Sequence, residues 1–190
     1  MEWDVAWRCA CGANQVLPHG TNLERIGIDN LAIHPEGTPD SVAAAIDREF
    51  TPNVLGNFDC PTCGQRRPRT VIKRIDGAPD LLRIKISNVY PSGLRNNNFV
   101  QLTPELDLRR YQAVAEFPAP LKYKLKSVLC HGGRDILEGH WTATVCDSQQ
   151  VNHINDSIVR EKNQAYLRSN PHDGRQAIVL TYMRISTKDG

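Results

Sequence analysis

Apolar and polar residues alternate along most of this chain with a period of two, which puts every second side chain on one face of an extended strand. Leu81–Val89 (LLRIKISNV) alternates from Leu82 onward. Tyr123–Cys130 (YKLKSVLC), Trp141–Val145 and Ala177–Arg184 follow the same rule, and Val71–Ile75 is strand-like. Residues 1–20 predict a strand running into a cysteine-bearing turn and a loop. Asn22–His34 predicts extended structure, because Leu23, Ile26, Ile28, Leu31 and Ile33 partly alternate. Helical spacing is confined to short stretches. Val42–Phe50 (VAAAIDREF) sets Val42, Ile46 and Phe50 on one face, with Asp40 or Ser41 as its cap and Pro52 as its stop. Asp107–Tyr111 allows one helical turn, and Ser157–Leu167 a further helix. Pro35–Pro39 (PEGTP) reads as a turn and Pro91–Asn98 as a polar loop. Strands dominate and helices are short, so the pattern predicts an α+β class with a mainly antiparallel sheet.

Composition narrows the function classes. The chain has 190 residues, enough for one domain with a real core, and 40% hydrophobic with 23% charged content is that of an ordinary globular protein. A net charge of +2 is too weak to argue for nucleic acid. No apolar run approaches membrane-spanning length, and Met1–Val5 carries no signal-peptide pattern. An intracellular location, cytoplasm or nucleus, is expected, with no nucleic-acid or membrane partner.

The six cysteines fit a reducing compartment. Cys9 and Cys11 form one close pair and Cys60 and Cys63 another, with 48 residues between the pairs. Each pair is followed by a glycine, Gly12 or Gly64, which lets the turn fold back so that backbone amides face the sulfurs. Zinc takes four thiolates in a tetrahedron, and two such knuckles supply two each. The second knuckle, C-P-T-C-G, has the usual spacing, whereas the first, C-A-C-G, is one residue short. The alternative is a set of reduced thiols in a finger without metal. A four-thiolate zinc would be structural, because it leaves no open coordination position. Cys130 reads as a core thiol and Cys146 as a strand-end thiol. Neither has the electropositive surroundings that would activate it.

The remaining chemistry lies near the C-terminus. His140 stands between Gly139 and Trp141, and Asn155-Asp156 follow about fifteen residues on. A histidine held by an amide or carboxylate is the base-and-orienter half of a nucleophilic site. Asn155 can accept from the ring N–H and fix its tautomer, and Asp156 is the charged alternative. A glycine beside the imidazole lets a substrate chain pass close by. On spacing alone, a surface hairpin histidine followed by a turn-forming Asn-Asp is the favoured reading. His131, before Gly132-Gly133, is a candidate for lining the same cleft. His19, His34, His153 and His172 lie in loop-like surroundings without ligand spacing.

Taken in order, these segments resemble the C-terminal part of the ubiquitin-specific protease catalytic domain. The resemblance runs through Cys9–Gly12, the helix at 42–50, Leu55–Gly64 (LGNFDCPTCG) and Ala78–Ile84 (APDLLRI). It continues through Leu106–Tyr111 (LDLRRY), Tyr123–Gly133 (YKLKSVLCHGG), Gly139-His140-Trp141, Ile154–Val159 (INDSIV) and Gln176–Arg184. It implies a single partial catalytic domain over 1–190. Zinc-ribbon fingers would occupy 1–72, with zinc on Cys9, Cys11, Cys60 and Cys63, and a papain-like palm would occupy 73–190. His140 would be the general base, Asn155 the third triad member and Asp156 its acidic neighbour. Gly139 and Trp141 would flank a channel for the ubiquitin tail. The reaction implied is hydrolysis of the bond after ubiquitin's C-terminal Gly-Gly. The family's cysteine box, G-x-x-N-x-G-N-x-C, is not in this sequence, and with it go the nucleophile and the thumb helices. Alone, the chain is therefore expected to be inactive. Two further readings stay open: a ubiquitin-binding pseudoenzyme or scaffold, and a structural zinc-ribbon protein unrelated to ubiquitin.

Overall fold

A computed structural model of the chain describes residues 2–17, 31–33, 40–87, 99–113, 120–133, 138–147, 150–169 and 177–186. The first elements are strands β1 (Glu2–Cys9), β2 (Asn14–Leu17), β3 (Leu31–Ile33) and β4 (Asp40–Ser41), then helix α1 (Val42–Phe50). Strands β5 (Asn53–Asp59), β6 (Arg66–Gly77), β7 (Leu81–Ile86), β8 (Val100–Gln101) and β9 (Glu105–Asp107) follow, then a single helical turn at Arg109–Tyr111. The last are β10 (Lys122–Gly132), β11 (His140–Cys146), β12 (Val151–Asn155), β13 (Ile158–Lys162), helix α2 (Tyr166–Ser169) and β14 (Ala177–Arg184). The expected turn at Pro35–Pro39, the loop at Pro91–Asn98, and most of the expected extended segment Asn22–His34 lie outside the described residues, as do His19, His34, His172 and Gln176.

The larger sheet runs β13-β12-β11-β10-β14-β7-β3, with β9 on β10, and only its β3–β7 pair is parallel. Its two faces differ. Register puts Leu82, Ile84, Leu180, Tyr182, Val128, Cys130, Thr144, Cys146 and Val151 on one side, all buried. The other side carries Leu81, Met183, Leu129, Trp141, Val145 and Val159, all exposed. The alternation legible in Leu81–Ile86 is thus a true inside–outside alternation. Helix α1 closes the buried side through Val42, Ala45, Ile46 and Phe50. Its start is fixed by Ser41, whose Oγ accepts from the Ala44 N–H at 3.0 Å. At its far end the Thr51 N–H donates to the Asp47 carbonyl at 2.8 Å, and Pro52 allows no continuation. The turn at Arg109–Tyr111 locks onto this helix: the Tyr111 ring stacks on Phe50 at 4.8 Å and its hydroxyl donates to Asp47. Two further tyrosines, Tyr123 and Tyr182, are fully buried. Their hydroxyls donate to the Pro79 and Thr103 carbonyls at 2.8 and 2.7 Å, which offsets the cost of burying them.

The smaller sheet runs β2-β1-β6-β5. β6 spans both bodies: Val71 pairs with Trp7 in the small sheet, and Ile75 is buried in the large core. Among the described side chains of the small sheet, the buried ones are Trp7, Cys9 and Cys60, with Ala13 and Cys63 against them.

Two expectations fail. Ser157–Leu167 is not helical. Ile158–Lys162 pairs with β12 as a strand, and helix begins only at Tyr166. Ile158 and Val159 are β-branched, and a free partner strand outweighs weak helical spacing. His153 lies not in a loop but inside β12, its Nδ1 3.3 Å from Thr144 Oγ1.

Candidate active site and metal centre

His140 opens β11, where it is in register with Gly132 of β10. Asn155 closes β12, and β12 and β13 are joined by only two residues, Asp156 and Ser157. Such a tight connection demands a positive φ. Asp156 supplies it at 52°, a conformation that Asp tolerates better than most residues. Pairing of β11 with β12 then brings the strand ends together. His140 Nε2 lies 2.6 Å from Asn155 Oδ1 and 3.8 Å from Asp156 Oδ2. An amide oxygen only accepts, so Nε2 carries the proton and donates, which leaves the Nδ1 lone pair available as a base. Asn155 makes the hydrogen bond; the exposed Asp156 carboxylate adds charge from further off.

Gly139 and Trp141 flank His140 differently. A Cβ on Gly139 would lie 2.3 Å from the Gly132 carbonyl oxygen and 2.5 Å from His131 Nε2. The space that its missing side chain leaves is therefore filled by the protein's own chain. Trp141 is about half exposed and points to the sheet face opposite His140, where its ring lies 4.4 Å from the His131 ring. His131 does not open onto the His140 side: it is buried on the Trp141 side.

The four paired cysteines converge at one end of the small sheet. Their sulfurs all lie within 4.8 Å of one another, and Cys11 Sγ is 3.8 Å from Cys60 Sγ. Zinc–thiolate bonds of about 2.3 Å in a tetrahedron place the sulfurs about 3.8 Å apart, so the set fits zinc. Both knuckles turn on glycines with positive φ, Gly12 at 90° and Gly64 at 65°. Each glycine N–H donates back to the first cysteine's carbonyl, at 2.9 Å to Cys9 and 2.8 Å to Cys60. Hydrogen bonds from the Cys63 and Thr62 backbone amides outweigh burial and pull the Cys60 thiol down to about 6, so it is readily a thiolate. At Cys11 the Ala13 amide pulls the other way, but contact with Cys9 and burial prevail and the thiol rises to about 11. Cys9, Cys11, Cys60 and Cys63 would hold a zinc ion as four thiolates, a closed structural centre with no open position for catalysis. The other two cysteines are buried, Cys130 in β10 and Cys146 at the end of β11.

The chain thus joins an imidazole hydrogen-bonded to an amide, on a mainly antiparallel sheet, with four clustered cysteines on a second, smaller sheet. The family profile described as Ubiquitin carboxyl-terminal hydrolase matches residues 19–182, and the chain belongs to that family. Ubiquitin carboxyl-terminal hydrolase 5 of Saccharomyces cerevisiae is 31% identical over 116 residues, which are 52% of this chain and 14% of that protein. Ubiquitin carboxyl-terminal hydrolase 36 of Drosophila pseudoobscura pseudoobscura is 28% identical over 126 residues, 64% of this chain and 12% of that one. Among solved structures, the SAGA DUB module of Ubp8, Sgf11, Sus1 and Sgf73 bound to monoubiquitin superposes with a TM-score of 0.77 at 18% identity. That match covers 97% of this chain and 40% of the other. The same module bound to ubiquitin aldehyde gives a TM-score of 0.75. These likenesses show the fold, and the chain spans a minor part of each of these proteins. Family membership excludes the reading as a zinc ribbon unrelated to ubiquitin hydrolases. Among the described residues no helix is long and apolar enough to cross a membrane.

Proposed function

We propose that this chain is the palm-and-fingers part of a thiol-dependent deubiquitinase that hydrolyses the bond after ubiquitin's C-terminal Gly-Gly. One observation carries the reading: in a member of this family, His140 donates from Nε2 to Asn155 at 2.6 Å and so keeps Nδ1 as a base. His140 takes the proton of a cysteine thiol and returns it to the leaving amine. Asn155 holds the ring, and Asp156 stabilises the imidazolium. The backbone of Gly139 and Trp141, on either side of His140, borders the path of the ubiquitin tail. The thiol itself comes from a cysteine outside this sequence, because four of the six cysteines gather in the metal centre and Cys130 and Cys146 are core residues. Residues 1–72 act as fingers and 73–190 as palm, with α1, inside the first range, packed on the palm core. The partner is ubiquitin or a ubiquitinated protein, and the setting is the cytoplasm or nucleus.

The test is to read the native transcript upstream of the Met1 codon and assay its full product on a fluorogenic ubiquitin substrate. An in-frame cysteine box, with hydrolysis abolished by His140→Ala and lowered about 10²-fold by Asn155→Ala, is the expected result. A product without such a box that still binds ubiquitin would favour the inactive scaffold reading, for which the cysteine inventory is the supporting observation. Neither hydrolysis nor ubiquitin binding would sink both.

A further inference from the structure

We propose that His131 is a positioning residue. Its ring, wedged between Trp141 and the Gly139 backbone, fixes the peptide that carries His140 and thereby holds His140 in its Nε2–H tautomer. This inference rests on the reading of His140 as a base.

The packing is tight on both sides of the hairpin neck. His131 is 4% exposed although it sits on the otherwise exposed face of the large sheet. Trp141 covers it from the paired position, with ring centroids 4.4 Å apart and planes at 41°. From below, a Cβ on Gly139 would lie 2.5 Å from His131 Nε2 and 2.7 Å from Cε1. The next step of the neck is as close: a Cβ on Gly133 would lie 2.2 Å from the Glu138 carbonyl oxygen. The residues before and after His140 are thus both pressed against the His131 ring.

His140 needs that support. Its side chain is 52% exposed, so little packing of its own restrains it. Two things set its direction: the Asn155 hydrogen bond and the backbone that projects it. If Gly139 is free to shift, His140 leaves Asn155, and the imidazole redistributes its proton between its two nitrogens. Catalytic geometry is sensitive to displacements on the order of 1 Å, so a support on the opposite sheet face matters to this side.

The experiment is long-range ¹H–¹⁵N correlation spectroscopy of the histidine rings in the labelled 190-residue protein, with the His140 signals assigned by their loss in His140→Gln. The wild type should show His140 as the Nε2–H tautomer. His131→Ala should shift it toward an averaged tautomer pattern, as Asn155→Ala does. His131→Phe, which keeps a ring against Trp141 and Gly139, should restore the wild-type pattern. A folded His131→Ala with unchanged His140 signals overturns the inference, as does a folded His131→Phe that fails to restore them. Should His131→Ala not fold, Trp141→Ala uncovers the same ring from the solvent side and is read the same way. None of these readouts needs activity. Failure to hydrolyse ubiquitin with the coupling intact would overturn only the functional reading, and an active enzyme without the coupling only this one.

Discussion

Asp156 holds a left-handed backbone, φ 52°, at the tip of the two-residue turn that presents Asn155 to His140. An L-residue there is strained, and glycine is not. Asp156→Gly should therefore raise stability by up to about 1 kcal/mol once glycine's extra chain entropy is deducted, or roughly 1–3 °C in Tm. The same change removes the carboxylate 3.8 Å from His140 Nε2, so the proposed hydrolysis should slow. Strain retained beside a working side chain is the usual form of a stability–activity compromise. Calorimetry and a ubiquitin-substrate assay on the same variant decide it: a lower Tm would sink the strain account, and undiminished turnover the role of the carboxylate. The sequence singled out Asn155 and Asp156 through the family resemblance of Ile154–Val159, whereas spacing alone favoured a surface hairpin. The partnership of His131 with Trp141 and Gly139 was not legible, because it depends on the β10–β11 register, which spacing alone leaves undetermined.

At the scale of elements, zinc on the four cysteines is expected to hold the small sheet together. Among the described side chains, the buried ones of this sheet are Trp7, with Arg69 lodged over its ring at 4.2 Å, and the cysteines Cys9 and Cys60. β5 is exposed along its whole length. That described core contributes little on its own, so ligation is expected to add to it. Chelation should thus remove amide-exchange protection from β1, β2, β5 and the first half of β6 while β10 and β14 stay protected. Elemental analysis should find one zinc per chain, lost in Cys60→Ser. Unchanged protection in the fingers after chelation would show that zinc is not what holds them. The sequence made the knuckles legible because glycine and paired cysteine are local signals. It hid β5 and β13, whose exposed faces lack the alternation that burial imposes, and Ile158–Lys162 read as helix for that reason.

Over the whole molecule, the buried side of the large sheet was legible in the alternation, and an exposed apolar second face was expected only from the resemblance, which leaves this sequence without a thumb to cover it. Alternation in β7, β10 and β14 says that one face is inside; it says nothing of what meets the second face. Leu129, Ala143, Ile154 and Val159 lie in register across that face from β10 to β13, with Trp141 and Val145 beside them on β11 and Val159 61% exposed. Scattered surface apolar groups need no explanation, but a band shared by successive strands does. Beside it, β13 is the end strand of the sheet among the described residues, and such an edge invites strand addition. The longer relatives have chain to spare for covering such a surface, since this sequence accounts for 40% of the solved chain it superposes on. Taken alone, the 190-residue protein should self-associate. Light scattering across a dilution series should show mass rising with concentration, and Val145→Lys with Val159→Lys should return it to monomer. Both positions point to solvent, so the pair should leave Tm nearly unchanged, within about 0.5 kcal/mol per site. A wild-type chain that stays monodisperse at every concentration and melts in one cooperative step would mean that this face is at home in water, and that nothing is needed to cover it.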